Sequence, residues 1–394
     1  MVTILRVYWF VNTVESDLSG YEHLASREPR YLAGRMPELI THADIDAFAR
    51  GCAILGTGGG GEVESGRLMA LNALDGHGPV PLVSLADLPD DGLVLPLSSI
   101  GAPTVGYEMI HGTQEAGRVR DAVEQHFGRA CVAVMSSEIG GTNGVGAVSW
   151  AAELGLPLVD ADGMGRAFPE VQMVSMNVAG LPIENITLAD VIGNVTILTP
   201  VSWAWAEAIS RAVSIAAGSY ALMADNVLPA ARLRGAVIEG TVTRAIQIGR
   251  ATENTDDPIA ALTETLGARI LIRGKVVDVE RRIGGGFVRG SIVVDGSGSD
   301  TGRMIRIEVQ NENLIVLEEG QVLASVPDLI SVVDDHSGHA IATELVRYGQ
   351  RVAVLAWPCA PLWRSDRGIA IAGPRAFGYN IDYVPVEEIA HVHS

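Results

Sequence analysis

Four glycine-rich polar segments, each directly behind a short apolar run, constrain this chain more than any other feature. They read GTGGGGEVESG from residue 56, SSIGAPTVG from 98, SSEIGGTNGVG from 136 and DADGMGRAFPE from 160. The apolar runs before them, at 52–55, 93–97, 131–135 and 157–159, predict strands. Amphipathic stretches at 43–50, 66–73, 115–127 and 145–154 predict the helices between them. Strands alternating with helices predict an α/β fold with an open parallel sheet and crossover helices. Right-handed connections gather the loops after successive strands at one edge of such a sheet, where open α/β folds bind ligands. The four segments therefore mark the expected site.

The rest of the chain has a different texture. Residues 1–35 carry no strong period and are expected to form an arm or extension. Residues 36–175 hold the ligand-site domain, and 176–394 hold a helical segment followed by a β-rich domain. Helical patterns recur at 203–217 and 235–251. From 268 onward short β-rich runs punctuated by Gly and Asp predict an antiparallel sheet.

Composition narrows the partners. The formal net charge of −19 over 394 residues repels phosphate backbones and anionic lipid, so neither nucleic acid nor a membrane surface is an expected partner. Hydrophobic residues reach 48%, yet no run of about 18 apolar residues is long enough to span a bilayer. The apolar surplus points to a homo-oligomer. The stretch 4–11 carries Arg6 and precedes Glu15 and Asp17, which is not the order of a signal peptide, and a cytoplasmic location is expected. Cys52, Cys131 and Cys359 lack metal or redox spacing and read as reduced core thiols. Lys275 is the only lysine, so lysine-dependent phosphate loops and Schiff bases have one residue to draw on.

Five glycines fill the six positions Gly56, Thr57, Gly58, Gly59, Gly60 and Gly61, which allows backbone N–H groups to approach a ligand unobstructed; the alternative is a tight turn. The segment lacks the Gly-Lys-Ser/Thr of a phosphate loop and the acidic partner of a dinucleotide fingerprint, so no nucleotide is expected. Glu138, Asp160, Asp162 and Glu170 occupy the two later loops, a set suited to acid–base chemistry and compatible with a divalent cation; each also reads as a loop cap or salt-bridge partner. Asp160 and Asp162 share a side if the chain stays extended. Arg166 reads equally as a substrate-binding cation or a neutraliser of its neighbours. Asn143 reads as a turn residue or a polar contact. His336 and His339 have a ligand-like spacing, but Gly338 between them favours a solvated loop. Ser98, Ser99, Ser136 and Ser137 lack a nucleophile elbow.

The segments ILGTGGGGE, DADGMGRAFPE, NENLIV, PDLISVVD and GPRAFGYNIDY, in this order, resemble the S-methyl thiohydantoin desulfurase-like family over nearly all of the chain after residue 38. The resemblance implies hydrolytic loss of methanethiol from an S-methylated thiohydantoin, and association with a hydantoinase- or oxoprolinase-type partner. It assigns no role to individual residues. The residues themselves suggest water activated by Asp160, Asp162 or Glu138, with Gly56–Gly61, Asn143, Arg166 and Glu170 binding the small-molecule substrate. The alternative is a binding or sensor protein that uses the same pocket without chemistry, and converging carboxylates near the glycine loop would favour the enzyme.

Overall fold

The computed structural model describes residues 38–101, 105, 112–284 and 287–389. The expected arm, most of the segment after Gly101, and His391 and His393 lie outside the described residues.

Two sheets organise the chain. The first has ten strands: β1 (Glu38–Ile40), β2 (Val80–Val83), β3 (Leu93–Gly101), β4 (Cys131–Ser136), β5 (Leu158–Asp162), β6 (Ile186–Ala189), β7 (Val195–Leu198), β8 (Tyr220–Asp225), and the short β9 (Leu228–Pro229) and β10 (Ile238–Glu239). Its main order is β1-β2-β5-β4-β3-β8-β6-β7. The central strands β2, β5, β4 and β3 run parallel, and the flanking strands pair antiparallel, so the sheet is mixed around a parallel core. Side chains along β3 from Leu93 to Leu97 are all buried, as expected for a strand covered on both faces.

Helices α1 (His42–Leu55), α2 (Val63–His77), α3 (Glu115–Phe127) and α4 (Thr142–Leu154) accompany the first half of this sheet. The short α5 (Ser175–Val178) and α7 (Ala230–Leu233), the longer α6 (Trp203–Ala216) and α8 (Thr241–Ala251), and α9 (Pro258–Leu266) follow. A capping box starts α1: the Thr41 N–H and hydroxyl both donate to Asp44 Oδ2 at 2.9 Å.

Two sequence expectations change here. Residues 52–55 form the last turn of α1, not a strand. Their four apolar side chains carry no decisive period, and α1 is packed among α8, α2 and α4, so the run belongs to a buried helix. The glycine segment consequently joins helix to helix. The boundary expected at 175 also moves, because β6 to β10 complete the first sheet and the change of sheet falls between Leu266 and Arg269.

The second sheet is antiparallel throughout, in the order β15-β14-β13-β12-β11-β17-β16. Its strands are β11 (Arg269–Gly284), β12 (Phe287–Gly296), β13 (Met304–Gln310), β14 (Glu312–Glu318), β15 (Gln321–Ser325), β16 (Leu329–Asp334) and β17 (Arg351–Trp357). The end strand β16 also lies against β14 and β15, so the sheet curls back on itself. A short helix α10 (Asp366–Ala372) follows. Among the described residues no helix is long and apolar enough to cross a membrane.

The contact between α1 and α8 is made by bare backbone. A Cβ on Gly51 would lie 1.8 Å from Ala245 O, and one on Gly249 would lie 1.7 Å from Ala47 O. Alanine favours a helix over glycine by about 1 kcal/mol, so steric and intrinsic effects oppose each other at 249. We expect the clash to win: Gly249→Ala should lower stability in urea unfolding by about 1–3 kcal/mol. An unchanged or raised midpoint would mean that α1 and α8 are less closely packed than described.

Candidate functional site

The glycine segment is the seat on which the two sheets meet. Thr57 O accepts from Asn313 N and Gly58 O from Thr343 N, each at 2.8 Å, which ties it to the second sheet. Gly141 N donates to Cys52 O and Thr142 N to Gly60 O, also at 2.8 Å, which ties it to the loop after β4. Side chains would break both contacts. A Cβ on Gly59 would stand 2.1 Å from Glu312 Oε1, and one on Gly60 would stand 2.3 Å from Gly140 O. Gly58, Gly60 and Gly61 also have positive φ, of 91°, 71° and 80°.

A cavity of about 140 Å³ opens beside this seat. A cavity of about 150 Å³ holds a single six-membered ring, so the space suits one small ring. Glu138, Asn143 and Asp225 reach it from the first sheet, Asn311 and Glu312 from the second, and Gly60 and Gly61 from the glycine segment.

Each polar group is placed by identifiable bonds. Asp162 Oδ2 accepts from Ile139 N at 2.8 Å, which fixes the loop that carries Glu138. Asn143 Oδ1 accepts from Ser99 N at 2.8 Å, and the Asn143 amide donates to Glu138 Oε1. Ser137 Oγ donates to Asp225 Oδ1 at 2.5 Å. Asn311, with φ 56°, turns the chain between β13 and β14 and accepts from Val288 N at 2.8 Å, so that Glu312 points at the glycine seat. Glu138 Oε2 and Glu312 Oε2 are buried and have no hydrogen-bond partner among the described residues.

Burial dominates the electrostatics. It raises Glu138 to about 8, with the Asn143 amide and the Phe168 N–H pulling the other way and the Asp162 and Asp225 charges adding to the rise. Burial likewise raises Asp225 to about 6, against the Ser137 hydroxyl. Glu312 is pushed well above the carboxylate range, first by burial and then by the charge of Glu138, with Arg166 opposing. Three acids with separated proton affinities therefore share one small cavity.

Comparison with known proteins gives this geometry a family. Residues 43–200 match the N-terminal domain and residues 201–386 the C-terminal domain described as S-Me-THD-like. The chain belongs to the S-Me-THD-like family. A crystal structure of a protein from Chromobacterium violaceum, determined in a structural genomics programme, has a TM-score of 0.74 to this chain at 23% identity, covering 89% of this chain and 100% of that one. At that identity the likeness concerns the fold. No curated protein gives a significant match. The two family domains divide at residue 200, inside the ten-stranded sheet.

Within this S-Me-THD-like chain, the residues singled out from sequence divide into three groups. Glu138, Asn143, Glu170, Gly60 and Gly61 line the cavity, with Glu170 at its wall beside Gln172 and Gln310. Gly56, Thr57, Gly58 and Gly59 lie behind the wall, where they form the seat. The remaining three depart from expectation. Asp160 caps α8, accepting from Val242 N, Thr243 N and the Thr243 hydroxyl at 2.9, 3.0 and 2.6 Å. Asp162 is fully buried and accepts from Met164 N and Gly165 N as well as Ile139 N. Arg166 is also fully buried, donating to Pro327 O, Asp328 O, Ala167 O and Thr57 Oγ1, and its guanidinium covers the Phe168 ring. All three build the scaffold instead of facing the cavity: the two strand-end carboxylates are captured by backbone N–H groups, and the guanidinium by backbone carbonyls and Thr57.

Three cavity acids, Glu62, Asp225 and Glu312, went unnoticed in the sequence. Glu312 lies inside NENLIV, in a polar stretch before an apolar run, and Asp225 ends the apolar run YALMAD, which has no glycine-rich segment after it. His336 and His339 belong to a turn in which Asp334 Oδ1 accepts from His336 N and Ser337 N. Among the described residues no three side chains of His, Cys, Asp or Glu are grouped to hold a metal ion. Cys52, Cys131 and Cys359 are free and buried.

Two outcomes test this placement. Asp162→Asn replaces an acceptor of three backbone N–H groups by a half-acceptor, and should cost on the order of 1–3 kcal/mol in chemical unfolding; an unchanged midpoint would remove Asp162 from the scaffold. Between the ordinary glutamate value of about 4.3 and about 8, folded Glu138 keeps a proton that the unfolded chain releases. Stability should therefore fall as pH rises through that window. Glu138→Gln should make the fall shallower, and an identical pH profile would place Glu138 in water.

Proposed function

We propose that this protein hydrolyses a small five-membered cyclic amide or thioimidate of the hydantoin or S-methyl thiohydantoin type in this cavity. The observation that carries the reading is the convergence of three buried carboxyls, Glu138, Asp225 and Glu312, on the wall of a cavity with space for one ring. Family membership supports the substrate class. Convergence of carboxyls beside the glycine seat supports chemistry over binding alone.

Asp225 near 6 and Glu138 near 8 are, at neutral pH, a base and an acid. Asp225 takes a proton from water as its oxygen attacks the ring carbon between the two nitrogens, and Glu138 gives its proton to the adjoining imine nitrogen. In the second half the new hydroxyl returns a proton to Glu138, the carbon–sulfur bond breaks, and protonated Asp225 gives its proton to the departing sulfur. Water has then placed its oxygen on carbon, one hydrogen on nitrogen and one on methanethiol. Both side chains end as they began.

The test is thiol release from a panel of S-methyl thiohydantoins, with ring opening of hydantoins followed in parallel. Wild type should release thiol, and Glu138→Gln or Asp225→Asn should lose roughly 10²–10⁴-fold in kcat, the usual worth of a general acid or base. Absence of turnover across the panel, or full activity in both variants, would count against the proposal.

A further inference from the structure

The charges around the cavity select among rings. Glu62, Glu138, Glu170, Asp225 and Glu312 all contribute to its wall. The one cation of that wall among the described residues, Arg211, is committed: it donates to Glu207 at 2.7 and 3.1 Å and to Pro169 O at 2.9 Å. Arg166 stands behind Glu312 with its guanidinium bonded to backbone carbonyls and to Thr57. The wall is thus rich in carboxyls and, among the described residues, without an uncommitted cation, and a ligand complements it by presenting N–H groups.

We infer that the site recognises its ligand through a protonated N–C–N fork, as in cyclic isothioureas, amidines and guanidines, with the Glu138 and Glu312 carboxyls as the two acceptors. Glu312 is 1% exposed and Glu138 7% exposed, so an ionised pair without a cation between them is costly. A planar cation whose two N–H groups flank one carbon relieves both carboxyls at once and gains charge-assisted hydrogen bonds. The inference rests on the proposed hydrolysis and deepens it. An S-methyl thiohydantoin ring has a basic imine nitrogen, and transfer of the Glu138 proton to it makes the ring this cation, with its central carbon more electrophilic. The hydantoin product has lost the basic nitrogen, so the grip ends with the reaction.

The groups that govern the pH response are few. Glu138 is faced by Asp162, Asp225 and Glu312, and Glu312 by Glu138, Arg166 and Glu344, with Glu62 beside Glu344. Raising pH ionises this set and strengthens its hold on a fixed cation, whereas a neutral ring gains nothing.

Calorimetric titration of the full chain distinguishes the cases with three probes: 2-amino-2-imidazoline, a cyclic guanidine that stays cationic throughout; hydantoin, a neutral ring of similar size; and hydantoin-5-acetate, an anionic one. The guanidine should bind at least about tenfold more tightly than hydantoin at pH 8, tighten between pH 6 and pH 8.5, and compete with thiol release; the anion should bind least. Glu312→Gln should weaken guanidine binding by about tenfold or more, the worth of a charge-assisted hydrogen bond, and the wild-type pH series decides the matter if that variant fails to fold. Equal affinity for hydantoin, or guanidine affinity independent of pH, would overturn the inference. Guanidine binding of the expected kind without thiol release would uphold the recognition and discard the hydrolysis. Thiol release untouched by the guanidine would do the reverse.

Discussion

Close contact between two stretches of backbone without side chains underlies the whole arrangement. Gly56–Gly61 and Gly140–Gly141 lie so near each other that a Cβ on Gly141 would stand 2.3 Å from Gly60 O. The same glycine segment receives the β13–β14 turn from the second sheet, with Glu312 over Gly59 and Asn313 bonded to Thr57. The density of glycine thus serves protein–protein contact inside one chain. The ligand cavity is a by-product of that contact, since it opens where the two sheets and the glycine seat leave a ring-sized space between them.

Scaffold carboxylates and cavity carboxyls differ in the donors they meet. Asp160 and Asp162 meet three donors each, although burial outweighs those of Asp162 and raises it to about 7. Glu138 meets the Asn143 amide and the Phe168 N–H, and Glu312 meets a glycine backbone, another acid and the opposing charge of Arg166; burial outweighs these partners in both. Asp162 still bears on the cavity, because it holds the N–H of Ile139 and with it the loop that carries Glu138. A scaffold carboxylate of this kind positions Glu138 without lining the cavity.

Much of this was legible in the sequence. The α/β character, three of the four expected strands, the antiparallel second sheet and the family motifs all follow from apolar periodicity and turn chemistry. The short run Cys52–Leu55 misled because four buried apolar residues look alike in a helix and a strand. The site was half legible: Glu138 and Asn143 lie on the segment after β4, as the edge rule requires. Glu312 comes from more than 150 residues later, and nothing in its own neighbourhood says which surface it will meet. Arg166 could not be placed from spacing, because its partners Pro327 and Asp328 are fixed only once the second sheet has docked.

The account depends most on Glu138 and Glu312 being neighbours that hold protons at neutral pH. Carbon-13 NMR of protein labelled at glutamate carboxyls, assigned with Glu138→Gln and Glu312→Gln, reads this directly. Both signals should remain those of protonated carboxyls at pH 7, and removal of the Glu138 charge should move the Glu312 titration to lower pH. Two carboxyls that ionise independently below pH 6 would contradict the coupled acid pair and the cavity chemistry built on it.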